Sequence, residues 1–370
     1  MLFGYPIEAT QNNWLHDCLC SAVRTIHEIV DQKRKYPPWP TILPAGHRGA
    51  LKLRTGLRDR FKSYNSVLRM FDKVDRDLVL DALEGENRVA ELLSGACECL
   101  TLHDLPQDLR KPIAELFGLA FELLSDLGVR DEQYEAIYSA VSDHVCPFCG
   151  TEHFDPPGPK REALDHYLSR NRYTLASANL RNLVPMCHKC NSSYKLSTDL
   201  LRCSDGSRRV AFDPYVHTSL RVSLDESDPF NGSTPNTPKW EIRFDPDVPA
   251  VSTWDQVFSV RERYRRNHLD PDFRRWLSSF GQWARAGDIN ADTGEALVAA
   301  LGRYEEYLIL CGMHDRAFLK AAVFRMLRRH CEDGHQRLIE QLRDVVVFAT
   351  ASRLPLRHAA ERPSAARSIP

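Results

Sequence analysis

Two Cys-x-x-Cys pairs, Cys146 with Cys149 and Cys187 with Cys190, constrain the fold of this chain more than any other sequence feature. Four thiolates at this matched spacing can surround one zinc ion tetrahedrally, and a site closed by four sulfurs is structural and does not activate water. The 37 residues between the pairs exceed the spacing of a simple zinc ribbon, so a folded segment must fill the gap. We therefore predict one structural Zn²⁺ held by all four cysteines. Two unrelated redox or core pairs are the alternative.

The size and composition of the chain are those of a folded globular protein. Its 370 residues allow two or three domains, and 43% of them are hydrophobic and 27% charged. A formal net charge of -1 argues against a uniformly basic coat for nucleic acid. No apolar run approaches the ~20 residues of a membrane helix, and the N-terminal residues do not resemble a secretion signal. An odd number of cysteines, 11, disfavours a disulfide framework. We therefore expect a cytoplasmic protein without a membrane partner.

Hydrophobic periodicity predicts three regions and a tail. Residues 1–142 carry apolar stripes at helical spacing, which predicts a helical N-terminal domain. Residues 143–210 contain the cysteine pairs. Residues 211–352 begin with alternating apolar residues, which predict a short β segment, and then return to helical spacing. Residues 353–370 are rich in Pro, Ala, Arg and Ser without periodicity, which predicts a disordered tail.

The residues between and just after the cysteine pairs resemble the HNH nucleases, a branch of the ββα-metal endonuclease superfamily. The resemblance covers about a seventh of the chain, residues 146–195. Each of its elements is weak alone, but all of them in this order are specific. The elements are the first cysteine pair, Leu164-Asp165-His166, Asn182-Leu183, and the second pair followed by Asn191 and Lys195. The resemblance implies an α+β fold, in which a ββα-metal nuclease core with structural zinc is flanked by mostly helical regions.

The same resemblance assigns roles to single residues. His166 is expected to be the general base, since imidazole titrates near working pH. Asp165 and Asn191 are the expected ligands of a catalytic metal ion, and their oxygen donors suit Mg²⁺ or Mn²⁺. Asn182 is expected to fix the loop that orients the histidine. Lys195, on one helix face with Asn191, is expected to meet the phosphate. Neighbours on a strand face opposite sides, so Asp165 and His166 both reach the site only if the strand bends or ends there.

Three loop arginines, Arg170, Arg172 and Arg181, are candidate substrate-binding residues because guanidinium groups suit phosphate contacts. A solvated loop that happens to carry arginines is the alternative. Two further basic clusters, within residues 48–62 and 261–266, can bind phosphates or be solvated helix faces. Neither resembles a base-reading element, so the sequence does not support recognition of a specific DNA sequence.

The resemblance implies a metal-dependent endonuclease that hydrolyses DNA phosphodiester bonds, with double-stranded DNA as the expected partner. A monomer with one site is expected to nick. Stand-alone HNH proteins with large helical flanks often act in phage defence, so protein partners of a defence system are also expected. Two alternatives remain open. One is an RNA or tRNA endonuclease, because nothing in the sequence discriminates the 2′-hydroxyl. The other is a non-catalytic, zinc-stapled module that binds nucleic acid or a protein.

Overall fold

A computed structural model describes residues 1–232 and 237–348 of the chain. Helices dominate it, and two small antiparallel sheets complete an α+β architecture, which confirms the predicted class. The predicted tail lies outside the described residues. The N-terminal helices are α1 (Trp14–Asp31), α2 (Arg48–Leu51), α3 (Thr55–Leu68), α4 (Lys73–Asn87), α5 (Val89–Ser94), α6 (Gln107–Asp126) and α7 (Val129–Ala140).

Along the sequence, two small sheets lie between these helices and the C-terminal ones. Strand β1 (Leu164–His166) pairs with β2 (Leu183–Pro185), and the π-helical segment Cys190–Lys195 follows. Strand β3 (Arg221–Ser223) pairs with β4 (Arg243–Asp245) within the predicted β segment. The last helices are α8 (Pro249–Phe258), α9 (Val260–Tyr264), α10 (Asp270–Ala286), α11 (Gly294–Leu310), α12 (Ala317–Glu332) and α13 (Gln336–Phe348). None of the described helices combines the length and apolar character needed to cross a bilayer.

Apolar residues at helical spacing explain the two long N-terminal helices. In α1, Leu15, Leu19 and Val23 recur every fourth residue and are buried. Helix α6 buries Ile113, Leu116 and Ala120 in the same way and stops just before Gly128. Gly128 has a φ of 75°, a left-handed conformation that glycine adopts without steric penalty, and it lets the chain turn directly into α7.

The buried apolar side chains form two clusters, and the β1–β2 sheet lies between them. One cluster joins α1, α3, α4 and α6 and includes Leu164 and Leu183 of the sheet. The other joins the cysteine pairs to α8–α13 and includes Val184. These cores differ from the predicted domain boundaries, because residues 143–210 contribute to both and Met1 packs in the C-terminal cluster. The physical reason is size, since a two-stranded sheet cannot form a stable core of its own.

Candidate metal centre and active site

Four buried cysteine sulfurs form a compact cluster beside the β1–β2 sheet. The Sγ atoms of Cys146, Cys149, Cys187 and Cys190 lie within 4.8 Å of one another. Cys149 Sγ lies 3.9 Å from Cys187 Sγ. With zinc–sulfur bonds of ~2.3 Å, the sulfur–sulfur edge of a tetrahedral site is about 3.8 Å. The cluster can therefore bind a metal ion, and its spacing fits tetrahedral zinc.

The first cysteine pair lies in a tight turn whose shape requires a glycine. The N–H groups of Cys149 and Gly150 donate to the Cys146 carbonyl at 3.2 and 2.7 Å. Gly150 has a φ of 68°, and a Cβ there would lie 2.4 Å from Leu2 Cδ1 and 2.7 Å from Met313 Cε. A side chain would strain the backbone and displace both neighbours. This turn therefore packs against both the N-terminal segment and the region before α12.

Burial and mutual contact perturb the thiols. Burial raises the pKa of Cys146, whereas hydrogen bonds from the other three sulfurs lower the pKa of Cys149. Arg263 Nη1 lies 3.2 Å from Cys190 Sγ. Burial alone would lower the pKa of Arg263, but the negative sulfurs of Cys190 and Cys149 outweigh burial and raise it. The environment of Cys149 therefore favours the thiolate, the form that binds metal.

His166 ends β1 and packs against α6. It is 7% exposed, its ring centroid lies 4.3 Å from that of Phe121, and its Nε2 lies 2.9 Å from the Ser177 carbonyl oxygen. A carbonyl only accepts, so Nε2 carries the proton and the lone pair of the neutral ring lies on Nδ1. Nδ1 has no hydrogen-bond partner among the described residues and is not fully enclosed. Burial lowers the pKa of His166 to about 4. The ring is therefore neutral at pH 7 and its Nδ1 lone pair is available. This pKa lies well below working pH, which corrects the expectation that His166 titrates there.

Asn182 is fully buried and ties together the two segments that surround His166. Its Oδ1 accepts the N–H of Leu168 at 2.7 Å. Its Nδ2 donates to the carbonyls of Leu168 and Ala176 at 3.0 and 3.3 Å. Ser177, which holds His166 Nε2, directly follows Ala176. Asn182 is thus connected to the histidine through the backbone of this turn, and its loop-fixing role stays a prediction.

Helix α4 supports the same turn through Glu86, a residue that sequence reasoning missed. Glu86 Oε2 accepts the N–H groups of Leu175 and Ala176 at 2.6 and 3.2 Å. The side chain is 0% exposed, and burial raises its pKa well above the usual value. A signal was present in the sequence: Glu86 follows Val79 and Leu83 at helical spacing, on a face that is otherwise apolar. A carboxyl group on such a face needs polar partners.

Asp165 points away from His166, as alternation along a strand requires, and the strand ends at His166. Lys195 Nζ donates to Asp165 Oδ2 at 2.8 Å and to the His166 carbonyl at 2.7 Å. The second oxygen, Asp165 Oδ1, has no hydrogen bond to any described residue. It is therefore available to a ligand.

The role predicted for Lys195 needs correction. Lys195 is 1% exposed, and its ammonium group is held by Asp165 and the backbone instead of facing solvent. The segment that carries it is π-helical, with a hydrogen bond from Leu196 N to Asn191 O across five residues. Residues four apart do not stack in this wider turn, so Asn191 and Lys195 do not share the expected phosphate-facing surface.

Asn191 lines a cleft of about 260 Å³ at the edge of the β1–β2 sheet. Its side chain forms no hydrogen bond within the described ranges. Ala163, the residue before β1, lines the same cleft. The cleft therefore lies at the end of the sheet where Leu164 pairs with Pro185, and Asp165 is not among its lining residues. The other lining residues are Asp155, Lys160, Arg161, Glu162, Met186, His188 and Ser192.

One of the three candidate substrate-binding arginines is free. The Arg170 side chain is exposed and has no hydrogen bond or ion pair in the part of the chain that the structure describes. Arg172 forms an ion pair with Asp199 at 3.3 Å, and Arg181 forms one with Asp213 at 2.5 Å. Both guanidinium groups are paired with carboxylates outside the loop, so they are less available to a phosphate than Arg170, and their substrate-binding role stays a prediction.

Arg130, at the start of α7, is a cation that the sequence did not single out. Its Cζ lies 4.5 Å from the centroid of Phe121, the ring that also contacts His166. Its guanidinium donates to Ser125 Oγ at 2.9 Å and to the Leu164 carbonyl at 3.4 Å. It forms no ion pair with any described carboxylate. A half-buried positive charge beside β1 is thus left uncompensated.

The two basic clusters are partly neutralised among the described residues, and two of the six cations in residues 48–62 form ion pairs. In the first, Arg54 pairs with Asp126 at 3.1 Å. In the second, Arg265 pairs with Glu262 at 2.7 Å, while Arg263 lies at the cysteine cluster.

No protein-family model, curated protein or solved structure matches this chain.

Proposed function

We propose that this chain is a metal-dependent HNH endonuclease that hydrolyses phosphodiester bonds of DNA. The observation that carries the proposal is the mounting of His166. Its Nε2 proton is committed to Ser177, and its Nδ1 lone pair is free at the end of β1. In this proposal residues 146–195 form the ββα-metal core, in which β1 and β2 are the hairpin, the segment Cys190–Lys195 is the helix, and zinc bound to four cysteines is the staple.

Asp165 and Asn191 are the residues proposed to hold the catalytic ion. A free carboxylate oxygen and an unbonded amide are hard oxygen donors, and Mg²⁺ keeps several waters and substrate oxygens, so two protein ligands suffice. Bound there, Mg²⁺ or Mn²⁺ would neutralise charge on the phosphate in the transition state. Lys195 positions the Asp165 carboxylate through Oδ2 and leaves Oδ1 free.

The tautomer of His166 determines which of its nitrogens takes up the proton. Nδ1 of His166 removes a proton from water as the water oxygen attacks phosphorus. As the HNH resemblance implies, the bond from phosphorus to the 3′ oxygen breaks. The 3′ oxygen takes a proton from solvent water, which leaves a 5′-phosphate and a 3′-hydroxyl. The imidazolium formed keeps its Nε2–H bond to the Ser177 carbonyl. The low pKa of His166 keeps the base unprotonated at neutral pH.

Arg170 and Arg130 are proposed to contact the phosphate backbone. Neither has an acidic partner in the described ranges, and both lie near His166, Arg170 through its charge and Arg130 through Phe121. Contacts to phosphate position a nucleic acid without reading its sequence. One site of this kind cuts one strand per encounter, so the proposed product is nicked duplex.

Plasmid nicking by zinc-loaded protein tests the proposal. With Mg²⁺ or Mn²⁺ the wild type should convert supercoiled plasmid to nicked circle, and EDTA should stop it. His166→Ala should lose at least ~10²-fold in rate, the contribution of a general base. His103→Ala, which removes an exposed histidine on the N-terminal side, should cut normally.

Two outcomes separate the alternatives. Cleavage of labelled RNA or tRNA without cleavage of DNA would replace the proposal with an RNA endonuclease. Binding without cutting of any of these substrates, with zinc content intact, would replace it with a non-catalytic module.

A further inference from the structure

A buried arginine from the C-terminal helices lies against the cysteine cluster. Arg263 on α9 is 3% exposed, and its Nη1 donates to Cys190 Sγ at 3.2 Å and to the Phe258 carbonyl at 3.3 Å. Its Cζ lies 4.4 Å from the ring centroid of Tyr194. Across residues 1–232 and 237–348, no carboxylate forms an ion pair with it.

This arrangement is costly unless the sulfurs are negatively charged. A guanidinium stays protonated in proteins, and a buried cation without a counter-ion is strongly destabilising. Four neutral thiols cannot balance it. One divalent ion with four thiolates carries two net negative charges, so one arginine offsets half of that charge. The environment of Arg263 therefore matches a metal-bound cluster.

We propose that Arg263 is the counter-ion of the zinc–tetrathiolate centre and that it couples zinc binding to the docking of the C-terminal helices. In this proposal, α8 and α9 are part of the metal centre and not a separate unit. Zinc loss would leave Arg263 buried without an anion, and these helices would then detach. Neither the nuclease proposal nor any catalytic step is needed for this inference.

Other contacts of the same helices support the coupling. Trp254 Nε1 donates to the Phe148 carbonyl at 3.0 Å, and Tyr264 Oη donates to the Cys149 carbonyl at 2.8 Å. Both carbonyls belong to the first metal turn. Three polar side chains from α8 and α9 thus converge on the cluster, two on its backbone and one on its sulfur. Such outer partners orient metal ligands and tune metal affinity.

The test uses full-length, zinc-loaded protein and three variants. Arg263→Met keeps the approximate length of the side chain and removes the charge. Arg263→Lys keeps the charge and removes the planar fork. Arg265→Met is the matched control, because Arg265 is exposed and, among the described residues, pairs with Glu262 and not with sulfur.

The first readout is the rate of zinc transfer to a chromogenic chelator. Arg263→Met should release zinc about 10- to 100-fold faster than the wild type, the usual effect of losing an outer partner of a metal site. Arg263→Lys should fall between them, and Arg265→Met should match the wild type. In the wild type, amide hydrogen exchange of residues 249–264 should accelerate in step with zinc loss. Equal transfer rates for the wild type and Arg263→Met would overturn the proposal, as would protection of these amides that survives zinc removal.

The second readout separates a counter-ion from a packing residue. Arg263→Met should be less stable than the wild type when zinc is bound. After zinc removal it should be equally or more stable, because an uncompensated buried cation is then absent. The same loss of stability in both forms would identify Arg263 as a packing residue and refute the proposal. If the metal-free protein or Arg263→Met does not fold, the zinc-transfer rates of Arg263→Lys and Arg265→Met decide. A faster rate for Arg263→Lys supports the proposal, and equal rates refute it.

Discussion

Glu86 provides the sharpest test of how the fold mounts His166. Replacing Glu86 with Ala removes the acceptor of two backbone N–H groups, those of Leu175 and Ala176. A buried donor left without a partner costs about 1–3 kcal/mol, so two such donors predict a loss of about 2–6 kcal/mol in the free energy of unfolding. The turn they belong to carries the Ser177 carbonyl that holds His166, and a 1 Å misplacement of a catalytic group costs about 10²-fold in rate.

Glu86→Gln should behave differently. Burial raises the pKa of Glu86, which favours the neutral acid, and glutamine is neutral, nearly isosteric and keeps one acceptor oxygen. We expect its stability to lie within about 1 kcal/mol of the wild type and its cleavage rate to be nearly normal. Glu84→Ala, an exposed change on the same helix, is the matched control.

Denaturant unfolding measures the loss of stability. Single-turnover plasmid nicking, normalised to the amount of folded protein, measures the loss of cleavage rate. If Glu86→Ala loses stability and yet cuts at the wild-type rate, the turn does not position the base. If Glu86→Gln is as impaired as Glu86→Ala, the carboxyl acts as an anion and the neutral form is wrong. Rescue by glutamine but not by alanine is the signature of positioning through hydrogen bonds.

Two further predictions concern charge. Arg130→Gln should slow nicking about 10-fold, because one charge-assisted phosphate contact is lost, and it should reduce the slope of log affinity against log salt by about 1. Arg181→Gln breaks the internal ion pair with Asp213 and should instead lower stability. An unchanged salt slope in Arg130→Gln would contradict the proposed contact between Arg130 and phosphate. Burial lowers the pKa of His27 from 6.5 to about 4, so the unfolded chain takes up the proton first and stability is lost as pH falls from 6.5 towards 4. His27→Gln should reduce this acid-dependent loss in the free energy of unfolding by up to about 3 kcal/mol. The measurement is the difference in the free energy of unfolding between the wild type and the variant at each pH, in which any zinc release that both proteins share cancels. Parallel curves for the two proteins would contradict the prediction.

Local patterns in the sequence were sufficient where the physics is local. The apolar spacing of α1 and the stop at Gly128 predicted helices that the structure contains, because burial of one face and a left-handed glycine act within a few residues. The four cysteines were likewise predictable, since their spacing alone limits the geometry of a metal site.

Long-range contacts could not be predicted from one sequence. Glu86 bonds to Leu175 across 89 positions, and Arg263 bonds to Cys190 across 73 positions. Each residue looks ordinary in its own helix, and its partner is defined only after the chain has folded. The prediction for Lys195 rested on α-helical spacing, whereas the segment that carries it is π-helical. The ammonium group of Lys195 donates to Asp165 instead of facing solvent.

The size of the β1–β2 sheet explains why so many distant residues converge on it. Three residue pairs form the whole sheet, and an isolated two-stranded hairpin is at best marginally stable in water. Its two faces are therefore held from outside and by different parts of the chain. The face with His166 depends on α4 and α6, through the turn at Ser177 and the ring of Phe121. The opposite side depends on Lys195 and on the cysteine cluster with its C-terminal partners. Because Asp165 and His166 are adjacent on this one strand, their relative position is fixed only when both sides are intact. The helical flanks are thus structural components of the proposed active site, and a chain without either flank would lose the geometry on which the chemistry depends.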